Sequence, residues 1–166
     1  MQGNISEDII EQALCTYIAK GTRYLKEGQI ERLDKDKIIL NATFEIKESC
    51  YLFPYSGHFN AVEAIMCFNQ MLYVALLGGI ERKFFSFYSH ISPQEFNKYR
   101  RKVYILEFEK VKFRKQIDNA NFFGRFEMEK LKTVGDKIYM NCVFQFGNTE
   151  GGSDFSGVVK VFIPLL

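Results

Sequence analysis

A polar tetrapeptide, Gly57-His58-Phe59-Asn60, runs directly into the long apolar segment 61–80. Asn60 is a preferred N-cap residue and Glu63 follows three positions later, which is the pattern of a capping box. The first N–H groups of such a helix point outward at its positive end. Amide donors at 57–60 therefore predict a site that stabilises a developing oxyanion. The same pattern also fits a core helix that is simply capped.

Two side chains beside this helix start are candidates for moving a proton. His58 is one of only two histidines in the chain, and an imidazole titrates near neutral pH. Glu63 is the only carboxylate near the helix start and is a candidate base for water or an amine, although capping alone also accounts for it. Cys50 and His58 are a conceivable nucleophilic pair, but free cysteines mostly pack, and no G-x-S-x-G elbow is present. Covalent catalysis is therefore disfavoured.

The first half of the chain predicts three helices and a strand pair. Ser6 and helical spacing after it predict a helix over about 7–18, and apolar runs on both sides of 34–37 predict two strands around a turn. The long helix is expected over about 61–77, because Gly78-Gly79 is a strong C-terminal signal. Ser92-Pro93-Gln94-Glu95 is a second capping box and predicts a short helix through about 99.

The second half alternates with a period of two and predicts further strands. Residues 102–117 form one long strand whose apolar phase changes, which requires a bulge near Glu109-Lys110. More strands are expected around 122–128, 138–146 and 155–163. A helix that is apolar on nearly all sides must be covered all round. We therefore predict an α+β hotdog fold over 1–166, with a curved antiparallel sheet of five or six strands wrapped around the helix, in preference to an open α+β sheet.

Composition narrows the function classes. The net charge is only +2, so no basic field indicates nucleic acid binding. Four scattered cysteines and two histidines lack zinc-ligand spacing, and we expect neither a metal nor a cofactor. Free thiols without a recognisable signal peptide favour the cytoplasm. Glu63, Asn69 and Gln70 would be costly in lipid, so the apolar helix is predicted to be buried in the protein and not to span a membrane.

Five segments of the chain form one combined pattern, which is far more specific than any one piece. They are Tyr17-x-x-Lys20-Gly21-x-Arg23-Tyr24-Leu25, Glu48-Ser49-Cys50-Tyr51, Gly57 through Glu63, Cys67-Phe68-Asn69-Gln70 with Tyr73, and, more weakly, Phe113-Arg114-Lys115. Together these motifs resemble one known family, the FcoT-like hotdog proteins, which are type III fatty acyl-CoA thioesterases. The similarity is dense over 17–73 and thin beyond.

The resemblance implies an active-site set of two tyrosines and two asparagines, which by motif are Tyr17, Tyr51, Asn60 and Asn69. This chain has one more residue between Tyr51 and Gly57 than the family pattern, so Tyr55 is an alternative to Tyr51. Nine residues at 100° each place Asn69 opposite Asn60 on the helix. The two amides share a site only if a neighbouring subunit contributes, or if Asn60 lies off the helical path.

Substrate-binding candidates surround this set. Gly57 and Phe59 adjoin the predicted oxyanion site. Lys20 lies in the N-terminal motif, where its ammonium would pair with a phosphate or a carboxylate or simply end a helix. Arg114 is our choice within a basic stretch, 98–115, that otherwise fits the solvent-exposed face of a strand.

The resemblance implies long-chain acyl thioesters of coenzyme A or of an acyl carrier protein as substrates, and a homodimer or larger assembly with sites between subunits. We favour thioester hydrolysis, because it needs the fewest special groups, with the acyl chain in an aromatic- and methionine-lined tunnel beside the long helix. Some family members instead add glycine to a 2-enoyl thioester on a carrier protein in isonitrile lipopeptide pathways, which is the first alternative. A non-catalytic acyl-thioester binding protein is the second.

Overall fold

The computed structural model describes residues 2–51 and 59–166. Its helices and strands follow the sequence prediction closely, with short 3₁₀ turns at Ser86–Tyr88 and Arg100–Lys102. The helices are α1 (Glu7–Ile18), α2 (Ala61–Glu81) and α3 (Pro93–Asn97), and the strands are β1 (Gln2–Asn4), β2 (Leu25–Asp34), β3 (Lys37–Phe44), β4 (Tyr104–Phe113), β5 (Phe122–Val134), β6 (Lys137–Gly147) and β7 (Phe155–Pro164).

All seven strands form one antiparallel sheet in the order β1-β2-β3-β5-β6-β7-β4. Helix α2 packs on β2, β3 and β5, and its buried residues lie on most sides of the helix. The predicted hotdog fold is confirmed. The sheet has seven strands where we expected five or six, because the three residues of β1 pair with β2 at one edge.

Helix α2 continues past its predicted end. It runs through Gly78 and Gly79 to Glu81, because both glycines are needed for packing and not for termination. A Cβ added at Gly79 would lie 2.4 Å from the Phe85 ring, and one at Gly78 would lie 3.1 Å from the Ile5 side chain. The prediction of an end at 77 was therefore wrong.

Helix α2 is also long and apolar enough to cross a bilayer, but 67% of its most apolar 18-residue stretch is buried inside the protein. This burial agrees with the prediction that it is the core helix of the fold, since the surrounding sheet already covers its apolar surface.

Strand β4 is the long free edge of the sheet. It starts at Tyr104, later than the predicted 102, because residues 100–102 form a 3₁₀ turn. The predicted bulge is confirmed: the register against β7 shifts between Glu109 and Lys112, and Lys110 has a φ of 53°. Every side chain of β4 is exposed or half-exposed, apolar ones included. Helix α3 ends at Asn97, slightly earlier than expected.

Candidate active site

The capping box at the start of α2 is confirmed. Asn60 Oδ1 accepts from the N–H groups of Val62 at 2.9 Å and Glu63 at 3.4 Å, and Glu63 Oε2 accepts from the Asn60 N–H at 3.1 Å. The Asn60 N–H, which we expected to face a thioester oxygen, is thus already engaged. Within the described residues, the cap leaves only the Ala61 N–H of the first turn for a ligand. Gly57 and His58 lie outside the described residues.

The other end of the Asn60 amide contacts Tyr51. Asn60 Nδ2 donates to the Tyr51 hydroxyl oxygen, so one side chain both caps the helix and holds the tyrosine. Tyr51 is 43% exposed, and its hydroxyl hydrogen is free to donate outward because the oxygen is the acceptor here. Asn60 and Tyr51 therefore present uncharged donors at the helix start. Tyr55, the alternative to Tyr51, lies outside the described residues.

A buried carboxyl lies directly behind this pair. Glu63 is 0% exposed, and its Oε1 has no hydrogen-bond partner among the described residues. Burial raises the pKa of Glu63, and the Asn60 N–H and the neighbouring Ser49 hydroxyl only partly oppose that rise. The buried Ser49 Oγ makes no hydrogen bond of ordinary geometry in the described chain. A carboxyl of this kind can hold a proton at higher pH than a surface glutamate and pass it to a ligand.

The nearby thiols make poor nucleophiles. Cys50 is exposed, and its Sγ lies 3.3 Å from the Met66 thioether sulfur. Cys67 is fully buried, and burial raises the pKa of its thiol well above the usual value. Neither contact activates a thiolate. A Cys50–His58 pair stays a prediction, because His58 is not described.

Tyr17 and Asn69 lie apart from Tyr51 and Asn60. No hydrogen bond or ring contact in the described chain joins the two pairs. Tyr17 is half-buried, and burial together with the neighbouring Tyr73 raises its pKa to about 12, so its hydroxyl stays protonated at neutral pH. Asn69 is half-buried one turn before Tyr73 on α2. Of the four residues implied by the family motif, Tyr51 and Asn60 are thus hydrogen-bonded to each other, whereas no contact in the described chain joins Tyr17 or Asn69 to them.

Arg100 joins the elements that surround Tyr17. Its guanidinium lies 4.4 Å from the centre of the Tyr73 ring and donates to the Ala13 carbonyl at 3.1 Å. The Tyr73 hydroxyl donates to the Arg100 carbonyl at 3.5 Å. These contacts join α1, α2 and the turn before β4 around Tyr17.

A groove of about 450 Å³ opens beside the start of α2 and is lined by 113–116 and Phe59. The Phe59 ring is 6% exposed and packs edge-on against Phe122 at 5.0 Å, so it forms the floor of the groove. Arg114 Nη1 donates to Ser156 Oγ at 2.9 Å, which holds the guanidinium at the rim. Two cations and the 51%-exposed ring of Phe113 suit a ligand with an anionic and an apolar part. Lys20, in the turn after α1, is exposed and away from this groove.

A second cavity, of about 540 Å³, does not belong to this site. Its sheet residues include Asn41, Thr43 and Arg125, which alternate along their strands with core-facing neighbours and so lie on the outer face of the sheet. Arg125 donates to Asn41 Oδ1 at 3.3 Å. The predicted tunnel beside α2 stays a prediction.

Ser49 and Gln70 were not predicted to have separate roles, although both lie in the quoted motifs. Gln70 Oε1 accepts from the N–H groups of Tyr24 and Leu25, each at 2.9 Å, and its Nε2 donates to the Thr22 carbonyl at 2.8 Å. Gln70 therefore ties α2 to the segment before β2. The one sequence signal for these bonds was the presence of a polar residue inside an apolar helix, because a buried amide needs hydrogen-bond partners.

The fold defines a class: a hotdog protein, here with a buried carboxyl at the start of its central helix. More narrowly, the chain belongs to the FcoT-like thioesterase domain family, whose model matches residues 12–163.

Similar characterised proteins carry one name. A "(2E)-enoyl-[ACP] glycyltransferase" of Mycobacterium marinum is 29% identical over 95% of this chain and 85% of its own. Proteins of the same name from Mycobacterium tuberculosis (27% identical, 90% of this chain and 82% of that one) and Streptomyces coeruleorubidus (25%, 88% and 90%) also match.

Solved structures of similar shape include a hypothetical thioesterase from Streptococcus pneumoniae with coenzyme A. It is 9% identical, covers 90% of this chain and 94% of that one, and has a TM-score of 0.46. A thioesterase-like, phenylacetic acid degradation-related protein from Ralstonia eutropha is 12% identical, covers 90% and 89%, and has a TM-score of 0.44. By family and by its similarity to the glycyltransferases, the chain is an enzyme of the thioesterase type, and two reactions are open to it.

Proposed function

We propose that this enzyme adds glycine to C3 of a (2E)-enoyl thioester carried on an acyl carrier protein. The glycine nitrogen forms a bond to C3, the C2–C3 double bond becomes single, and one proton moves from the nitrogen to C2. No group leaves and the thioester is kept. The relatives' shared name supports this choice over hydrolysis, which the sequence favoured.

The observation that carries the proposal is the Glu63 carboxyl. Glycine attacks only as the free amine, so a base must remove a proton from its ammonium group. Glu63 is fully buried at the helix start and has a raised pKa, and its Oε1 makes no hydrogen bond of ordinary geometry in the described chain, although the Ser49 hydroxyl lies close enough to act on the carboxyl. A base of this kind takes the ammonium proton and returns it to C2.

The negative charge that develops on the thioester oxygen needs donors. Among the described residues at the helix start, the Tyr51 hydroxyl and the Ala61 N–H are the donors that the cap does not engage, and we assign them to stabilise this charge. Asn60 acts by fixing both, because its oxygen holds the first turn and its nitrogen holds Tyr51.

The glycine carboxylate requires a cation near the same place. Arg114 at the rim of the Phe59 groove is our candidate, because its position is set by Ser156 and the groove adjoins the start of α2. Lys20 is the alternative from the sequence, and its exposed position after α1 makes it the weaker one.

Hydrolysis of a long-chain acyl thioester is the second candidate function, supported by the family description. The same carboxyl would then activate water for attack on the thioester carbon, and the thiol would leave. A purely binding role is the remaining alternative.

One assay separates these reactions. The protein is given a (2E)-enoyl thioester of an acyl carrier protein with and without glycine, and free thiol and adduct mass are followed. We expect a glycine adduct that retains its thioester. Thiol release that is independent of glycine would make the enzyme a hydrolase, and no turnover with any chain length would make it a binding protein.

We also propose that the active unit is a homodimer in which the partner subunit supplies Asn69 to the site at Asn60. Strand β4 leaves an edge with exposed Leu106 and Val111, and α2 exposes Val62 and Ile65 at 45% and 41%. Two copies joined antiparallel along these surfaces would cover both, since unpaired apolar edges invite pairing. Such a pairing would bring Asn69 of one helix toward Asn60 of the other.

Mixing two inactive variants tests this arrangement. Asn60→Ala and Asn69→Ala proteins are unfolded together, refolded, and assayed. If Asn69 acts in the partner's site, half of the mixed dimers are hybrids with one intact site, and roughly a quarter of wild-type activity returns. Activity that stays at the level of the single variants would place both amides in one chain's site, and a monomer by light scattering would exclude the dimer.

A further inference from the structure

The turn before β4 carries a small cluster of free positive charge. Lys98, Arg101 and Lys102 are exposed in the segment between α3 and β4. None of them forms an ion pair with a described residue. We call these three residues the basic turn.

Some cations elsewhere in the described chain are matched locally: Arg23 binds Glu7, Arg125 binds Glu127, and Lys160 binds both Glu107 and Glu109. The carboxylates nearest the basic turn are engaged elsewhere. Glu95 Oε2 accepts from the Ser92 N–H at 2.7 Å within the capping box of α3, and Glu107 is held by Lys160. The Ser92 N–H and hydroxyl, and more weakly the Lys98 ammonium, lower the pKa of Glu95, so the charge of the basic turn is only partly matched within the described chain.

The basic turn is also held rigidly. Arg100, inside the same segment, points inward to the Ala13 carbonyl and the Tyr73 ring. The Lys102 ammonium lies 5.5 Å from the centre of the Tyr99 ring. A charged surface whose backbone is fixed in advance costs less to order on binding than a mobile one.

The position of the basic turn connects it to the site. Arg100 links it to Tyr73 and to the half-buried Tyr17, one of the four residues implied by the family motif. A partner seated on the basic turn would thus lie close to Tyr17.

We infer that the basic turn is the docking surface for the acidic carrier protein that presents the acyl thioester. The inference rests on the proposed function for the identity of the substrate. A carrier protein is a small acidic domain that brings its thioester on a flexible arm, so it needs a cationic seat near the site. Opposite charges on the two partners would chiefly raise the association rate and would weaken as salt rises.

The test compares two triple charge reversals. The docking variant is Lys98→Glu/Arg101→Glu/Lys102→Glu. The control variant is Lys35→Glu/Lys132→Glu/Lys137→Glu, which makes the same change in net charge at exposed positions in the distant β2–β3 and β5–β6 turns. Lys132 lies 5.0 Å from the Tyr139 ring centre, so it matches the Lys102–Tyr99 contact. Circular dichroism and melting curves confirm that both variants fold.

Each protein is assayed with the same (2E)-enoyl group on an acyl carrier protein, on coenzyme A and on pantetheine. We expect the docking variant to lose at least tenfold in kcat/KM with the carrier protein alone, and the control to lose nothing. A carrier protein with two helix glutamates changed to lysine should recover part of the loss.

Four outcomes would overturn the inference. An equal loss with pantetheine would assign the residues to the site itself, and a loss confined to coenzyme A would make them phosphate contacts. No loss with any substrate, or an equal loss in the control variant, would exclude docking at the basic turn.

The docking can also be judged when the proposed function fails. If wild-type protein turns over none of the three thioesters, binding of fluorescently labelled holo-carrier protein is measured by anisotropy at 50 and 300 mM salt. Weaker binding by the docking variant than by the control supports the docking surface without catalysis. Equal binding by the two variants overturns it.

Discussion

Helix α2 buries two polar side chains two turns apart, and the two differ in how completely they are hydrogen-bonded. Gln70 and Glu63 are both 0% exposed. The Gln70 amide oxygen accepts two hydrogen bonds from the segment 22–25, and the amide nitrogen donates one to it. Glu63 spends Oε2 on the helix cap and leaves Oε1 without a partner among the described residues.

The surroundings of the two differ as well. Gln70 bonds backbone groups beside Tyr24 and Leu25, which are 3% and 0% exposed. Glu63 lies behind Tyr51, which is 43% exposed, and so is near the surface although it is itself buried. An unsatisfied buried polar atom costs about 1–3 kcal/mol. The fold meets this cost at Glu63 but not at Gln70, which supports our proposal that Gln70 serves stability and Glu63 serves chemistry.

The largest expected effect comes from Glu63→Gln. We expect kcat/KM to fall about 10³-fold, or ~4 kcal/mol, because the variant keeps the side-chain shape and loses the base. In wild type, the acid limb of kcat/KM should have an apparent pKa above 4.5, since burial raises the pKa of Glu63. Initial rates between pH 4.5 and 8 measure both effects. An unchanged rate would remove Glu63 from the mechanism.

Glu63→Gln also has a stability signature. Because the native pKa is raised, the folded protein binds more protons than the unfolded chain between the two pKa values. Wild type therefore loses stability as pH rises from 4.5 through the native pKa of Glu63, and the variant lacks this loss. The melting temperature of the variant relative to wild type should increase over that range, and parallel melting curves would contradict it.

Gln70→Leu should destabilise the protein and spare its chemistry. Two buried N–H groups and one carbonyl would lose their partner, which we expect to cost about 3 kcal/mol. Urea unfolding gives the free energy, and kcat per folded molecule should stay within a factor of two of wild type. A variant that is stable but inactive would reverse the distinction between the two side chains.

Asn60 should show both kinds of effect, which two substitutions separate. We expect Asn60→Ala to lower kcat at least tenfold, about 1.4 kcal/mol, and to lower stability by about 1 kcal/mol through the lost cap. Asn60→Ser keeps a capping oxygen but loses the amide donor to Tyr51, so it should recover the stability and not the rate. If both variants were as active as wild type, the site assignment would be wrong.

Tyr51→Phe should have the smallest effect. Removing one exposed hydroxyl that contacts Asn60 costs about 1 kcal/mol of transition-state stabilisation, or roughly fivefold in kcat. The melting temperature should not change, because the ring is nearly half exposed. A matched Tyr104→Phe change on β4 serves as the control and should leave the rate unaltered.

Much of the fold was predictable because its signals are local. Asn60 and Glu63 define the cap by their types and spacing, and the phase change around Glu109 requires the bulge that the structure shows at Lys110. The end of α2 was not predictable, since the contact of Gly79 with Phe85 depends on how the chain folds back after the helix.

The candidate site was predictable in its residue types but not in its grouping. The family motif names Tyr17 and Tyr51 together, yet only Tyr51 contacts Asn60 in the described chain. Gln70 is distinguished by hydrogen bonds to residues that lie 45 to 48 positions earlier in the chain. Glu63 is distinguished by an Oε1 that makes no hydrogen bond of ordinary geometry in the described chain. No periodicity or spacing carries that information.

The two borders of the sheet have very different lengths, and this limits how far the protein can assemble. One border is the ten-residue β4, and the other is the three-residue β1. If two molecules join through β4, each uses the longest uninterrupted strand edge among the described strands. At the other border β1 covers the middle of β2, at Gln29–Glu31, and so interrupts the ladder there. That border is a poor template for another molecule, so edge-to-edge growth should stop at a finite particle and not continue into a fibre.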